Sequence, residues 1–137
     1  MSEDNKILSS IQIDHIVFNE IQFLRKGFRK NADSGGDVNI SVNINDNGED
    51  HYIVSLILNA PKEGEYDAMV KISAYCNVSS KTENLPQILK GNIPAILLPY
   101  ARAQLTMLTS QPETDPIVLP LINMHEFAKN AFPPDPK

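Results

Sequence analysis

Three histidines, His15, His51 and His125, and the single cysteine, Cys76, are the side chains of this sequence best able to act as ligands or nucleophiles. A metal centre needs several such groups converging. None of these four belongs to a CxxC or HExxH spacing, so the sequence predicts structural histidines and no metal site. Nucleophilic catalysis needs a base beside the nucleophile. Cys76 instead falls on the apolar parity of an alternating stretch, which predicts a small core residue. No GxSxG or Cys–His–acid arrangement occurs. Gly35-Gly36 fits neither phosphate-loop spacing, GxGxxG or GxxxxGK. Glu113 and Asp115 stand among prolines in a loop, where solvation is the default role. The residue types therefore predict no catalytic residues and no cofactor.

What remains is apolar surface. Ile117-Val118-Leu119-Pro120-Leu121-Ile122 is too apolar for an ordinary connector, and Met107, Met124 and Phe127 flank it. It has two readings: a strap lying flat on its own sheet, or one wall of a groove for apolar side chains. Flexible, Met-rich surfaces suit varied partners.

The elements that must carry this surface follow from periodicity. Asn92 to Ser110 reads as one long apolar helix, capped by Asn92, with Pro94 in its first turn and Pro99 as a bend. Leu97, Ala101, Leu105 and Leu108 share one face, with Ile96, Tyr100 and Met107 on an adjacent strip. A helix this apolar needs cover on more than one side. Upstream, Ile11, Ile13, Val17, Ile21 and Phe23 predict the inner face of a strand bulged near Asn19, with Ile16 and Phe18 on its outer side. Val38 to Asn45, His51 to Asn59 and Glu65 to Ser79 alternate likewise. Asn47-Gly48 predicts a tight hairpin turn between the first two of these. A short helical turn is expected at Leu85–Leu89, and a last short helix after Asn123, with Glu126 completing a capping box. Strands followed by helices imply an α+β domain, a four-stranded antiparallel sheet with its helices on one face. The expected limits are a leader at 1–9, one domain at 10–131 and an irregular tail at 132–137.

The totals agree with a single domain: 137 residues, with 12 basic against 17 acidic groups for a net charge of −5. Such a balance disfavours nucleic acid and anionic membrane. The basic run Arg25-Lys26 to Arg29-Lys30 reads as a solvated loop. No apolar run approaches the about 20 residues that span a bilayer. A polar, acidic N-terminus and one cysteine fit a reducing cytoplasm.

Ile96-Leu97-Leu98-Pro99-Tyr100-Ala101-Arg102 and Leu119-Pro120-Leu121-Ile122-Asn123 resemble the signature region of the SecB export-chaperone family, and Gln12 to Phe23 resembles its opening strand. The resemblance implies an ATP-independent holdase for unfolded chains, with a long helix, a crossover strap and a second helix on the sheet. It implies a homotetramer, a dimer of dimers joined through Ile96, Leu97, Tyr100, Leu105, Met107 and Leu108. The expected client surface comprises Val42, Ile44, Val118, Leu119, Leu121, Ile122, Met124 and Phe127. Delivery to the SecA motor would use outer-face acids: Glu20 matches one such position, while Leu24 and Lys71 stand where others are expected. The alternative partner is the antitoxin of a toxin–antitoxin–chaperone module.

Overall fold

The computed structural model describes residues 11–30, 37–79 and 81–131, so the leader and tail expected at 1–9 and 132–137 lie outside the described residues. Strands β1 (Ile11–Arg25), β2 (Asn39–Gly48), β3 (His51–Lys62) and β4 (Tyr66–Val78) form one antiparallel sheet in the order β1-β4-β3-β2. Three helices follow: α1 (Leu85–Gln87), α2 (Ile93–Leu108) and α3 (Met124–Ala131), with a π-helical turn (Ile88–Asn92) joining the first two. The α+β arrangement expected from the order of elements is the one found.

The core forms where α2 lies across the two central strands. Val54, Leu56 and Leu58 of β3, Val70, Ile72 and Ala74 of β4, and Ile93, Leu97, Ala101 and Leu105 of α2 are each 0% exposed. At roughly 25 cal/mol per Å² of apolar surface buried, this contact dominates the stability of the fold. Cys76 belongs to the same core, 2% exposed, as its parity predicts.

Three local readings need correction. First, β1 carries two register shifts, between Ile13 and His15 and between Phe18 and Glu20. The second is the bulge expected near Asn19, whose Oδ1 accepts a hydrogen bond from Ser73 Oγ, itself 2.7 Å from Ser55 Oγ. The first, at Asp14, was not foreseen. Each extra residue reverses the inside–outside parity. Ile16 and Phe18 therefore stand opposite Ala74 and Ile72 on the helix side, and Val17 stands opposite Ser73 on the outer side.

Second, the β2–β3 turn sits one step beyond Asn47-Gly48. Glu49 (φ 56) and Asp50 (φ 65) occupy its two central, left-handed positions, and Asn47, between the paired Asp46 and Gly48 (φ 83), is the extra residue of the bulge before them. Asp46 Oδ1 accepts from Gly48 N–H at 2.8 Å, which fixes the shift. Third, Asn92 does not cap α2. It is itself helical (φ −64, ψ −48) with no side-chain cap bond, because the chain arrives through the π-turn already wound. Pro94 lacks the N–H an α-turn would use there. The helix continues through Pro99.

Asn123 does cap α3: its Oδ1 accepts from the N–H of His125 (3.0 Å) and of Glu126 (3.2 Å).

Candidate functional site

Helix α2 covers β3 and β4 and leaves both outer strands partly bare on its side of the sheet. Its two flanks then have different fates. Residues of an α-helix advance about 100° each, so Arg102, Thr106 and Thr109 share one flank while Ile96, Tyr100 and Met107 share the other. The strap runs along the first. Thr106 Oγ1 donates to Ile117 O at 2.7 Å, and Ile117 N–H donates to Thr109 Oγ1 at 2.9 Å. Thr109 Oγ1 also donates back into its own helix, to Leu105 O, and Thr106 Oγ1 lies 3.1 Å from Arg102 O. The strap then leads into α3, which packs on the π-turn, and the π-turn touches β2. The strap flank is therefore the β2 side, and the bare flank faces β1.

On the β2 side the expected client residues divide. Val42, Ile44, Leu119, Ile122 and Phe127 are half-buried and pack against the core. Val118 and Leu121 point outward, 76% and 89% exposed. Met124 is 2% exposed and sits inside the core, so it drops out of the expected surface. The result is a shallow trough. Its floor is the inner row of β2 (Val38, Ile40, Val42, Ile44), its wall is the strap, and two fully presented aliphatic side chains stand on its rim.

The β1 side gathers a second patch. Ile16 (36%), Phe18 (38%) and Ile21 (44%) on β1 are exposed, as are Ile96, Tyr100 and Met107 on α2. Of the six residues expected at an oligomer interface, Leu97 and Leu105 are turned onto the sheet and fully buried, and Leu108 is half-buried against the core. The three that remain available are joined by three from β1: Ile16 and Phe18, which the extra bulge at Asp14 brought to this face, and Ile21, which was expected on it.

Sequence reading missed the device that holds the strap in place. Arg25, at the end of β1, aims its guanidinium at the loop after α2. It donates to Glu113 O (3.1 Å), Pro112 O (3.2 Å) and Thr114 Oγ1. Asp115 accepts from Arg29 at 3.4 Å and lies 3.8 Å from Lys62, which pairs with the buried Glu65 at 3.4 Å. Lys26 pairs with Asp67 at 2.7 Å. Arg25 and Arg29 of the exposed basic run thus anchor the start of the strap, while Lys26 pairs with the sheet, and Asp115 is engaged. No local spacing could reveal this, since Arg25 and Glu113 are 88 residues apart in the chain.

The residues first considered for chemistry are scattered. His15 meets Tyr75 edge-on at 6.4 Å, His51 stands opposite Asn77, and His125 packs beside Gly91, where a Cβ would lie 2.6 Å from its Nδ1. Burial and the nearby Asp14 carboxylate push the Cys76 thiol up to about 11, so it stays protonated and unreactive at neutral pH. Among the described residues no cluster of three or more His, Cys, Asp or Glu could hold a metal ion. Among the described residues no helix is long and apolar enough to cross a membrane. On the outer face, Glu20 stands opposite Lys71 and accepts from Gln22 Nε2 at 3.1 Å, while Leu24 stands opposite Asp67.

Among solved structures the chain matches a SecB-like chaperone of Mycobacterium tuberculosis in complex with a ChAD peptide from the HigA1 antitoxin. The TM-score is 0.66 at 17% identity, covering 86% of this chain and 94% of that one. It also matches a protein of unknown function from Streptococcus agalactiae, with a TM-score of 0.48 at 13% identity over 81% of this chain and 97% of that one. No family model and no curated protein matches the sequence. The fold is SecB-like.

Proposed function

We propose that this SecB-like chain is an ATP-independent holdase that keeps non-native polypeptides from aggregating, with no catalytic residues and no cofactor. One observation carries the reading: Val118 and Leu121 stand 76% and 89% exposed on the rim of a trough floored by half-buried Val42 and Ile44. A protein that only needed to fold would turn such side chains inward. Apolar burial at roughly 25 cal/mol per Å² supplies binding without demanding a sequence. The net charge of −5 helps keep a loaded complex in solution.

In this reading the β1-side patch is where copies meet, in a cytoplasmic homotetramer built as a dimer of dimers. Several weak troughs on one particle raise avidity without any new contact. The purified protein is expected to suppress aggregation of a refolding client at stoichiometric amounts without nucleotide. No suppression at several-fold excess rejects the proposal.

A second reading, a chaperone dedicated to one partner such as an antitoxin, draws support from the antitoxin peptide held by the mycobacterial neighbour. Lys71 opposite Glu20 and Leu24 opposite Asp67 interrupt the acidic outer face that docking to SecA would use. A pull-down from the native host decides between the readings: a mixture of unfolded chains supports the general holdase, and one stoichiometric protein supports the dedicated form.

A further inference from the structure

We infer that the cavity between the π-turn and α3 is a binding site for a carboxylate that carries a short apolar chain. The site is separate from the trough, since no residue of the trough's floor, wall or rim lines it.

Two packed segments build the cavity. Pro86, Gln87, Lys90 and Gly91 come from the π-turn and the residues leading into it, and His125, Ala128 and Lys129 come from α3. Steps of three and four place each set on one face of its segment. Met124 and Phe127 turn to the core instead, so α3 meets the core and the cavity with different faces.

The contact between the segments depends on Gly91. This residue is buried, and a Cβ on it would lie 2.6 Å from His125 Nδ1 and 3.0 Å from His125 Cε1. With no side chain there, α3 settles onto bare backbone and the imidazole becomes part of the cavity wall. Gly within a helical segment costs about 1 kcal/mol relative to Ala. A π-turn is rare, and such turns concentrate at functional sites. Both departures from regular helix fall at this one contact.

Charge and volume then define the ligand. The cavity measures about 190 Å³, which at about 30 Å³ per water-sized group admits about six non-hydrogen atoms. Pro86, Gly91 and Ala128 give it apolar surface, and Lys90, Lys129 and His125 supply basic nitrogen; among the described residues no carboxylate lines it. In a chain with 17 acidic against 12 basic groups, an all-basic lining runs against the whole. The acids nearest in sequence, Glu83 and Glu126, are exposed and outside the lining. A carboxylate accepts from ammonium donors on both segments while its short chain covers the apolar part. An amine of the same size would meet like charge.

The test titrates the full-length protein, labelled with nitrogen-15, with butanoate. Saturable amide shifts are expected at residues 86–91 and 125–129, with none there for butan-1-ol or butan-1-amine. No saturable shift at tens of millimolar butanoate, or equal effects from the amine, overturns the site. Inorganic phosphate binding as tightly as butanoate overturns the apolar half of the assignment. Lys129→Gln changes an exposed side chain and should weaken butanoate about fivefold; unchanged affinity overturns recognition by charge. Ala128→Leu fills the cavity with a good helix former and should abolish the shifts at 86–91, and their persistence overturns the placement.

The acid has two possible sources, a free metabolite or the C-terminus of a polypeptide. A tripeptide ending in alanine, compared with its C-terminal amide, separates them. Tighter binding of the free-acid peptide than of butanoate supports the site with a chain terminus as its ligand, and weaker binding supports it with a small acid. Equal binding of the peptide and its amide, each as tight as butanoate, overturns carboxylate recognition.

Discussion

Glu49 and Asp50 turn the β2–β3 hairpin with positive φ at both central positions, which Asp tolerates and Glu does not suit. A left-handed conformation costs an ordinary L-residue roughly 1–2 kcal/mol, and Asn tolerates it far better. Glu49→Asn should therefore stabilise the fold by about 0.5–1 kcal/mol, read as a raised urea midpoint with unchanged slope. No gain would mean that the bulge at Asn47, and not the turn pair, limits this hairpin. The same scale explains the silence of the chain's reactive groups. Cys76 is held neutral by burial, and the histidines pack singly against Tyr75, Asn77 and Gly91.

At the scale of the element, the strap is an extended segment without strand partners, and it stays put because both ends are tied. Arg25 grips the carbonyls of Pro112 and Glu113, the threonines of α2 hold Ile117, and Asn123 starts α3. Arg25 also lies over the Phe23 ring at 5.1 Å, and Phe23 stacks on Tyr66 at 5.0 Å, so the grip is braced by the sheet. Arg25→Ala should cost about 1–3 kcal/mol. Hydrogen exchange should speed up selectively at residues 112–122 while β3 and β4 keep their protection. Uniform loss of protection would show that Arg25 supports the whole sheet and not the strap in particular.

For the whole molecule, the helix layer is narrower than the sheet, and the two uncovered margins differ in kind. The β2 margin is roofed by the strap into a trough. The β1 margin is an open patch of Ile16, Phe18, Ile21, Ile96, Tyr100 and Met107. Separating their roles requires one variant at each. Val118→Glu with Leu121→Glu changes only exposed side chains, so client binding should fall at least about tenfold while particle mass is kept. Phe18→Glu with Tyr100→Glu should lower the mass measured by light scattering. If both pairs lower the mass, the two margins form one interface and the trough is not free for clients.

Periodicity alone set out the strands, the long helix, the buried cysteine and the Asn123 cap, because each depends on neighbours within a turn or a pleat. It also placed excess apolar character in the strap, and the resemblance of residues 96–102 and 119–123 to SecB agreed with the fold found. Tertiary structure decided the rest. An unforeseen residue in β1 reversed the facing of Ile16, Val17 and Phe18, and the sheet buried Leu97, Leu105 and Met124 while sparing Ile96, Tyr100 and Met107. Arg25 found its partners across the fold. The physical reason is one of range: side-chain parity and helix phase are local, whereas which face is covered, and by how wide a layer, depends on residues far apart in the chain.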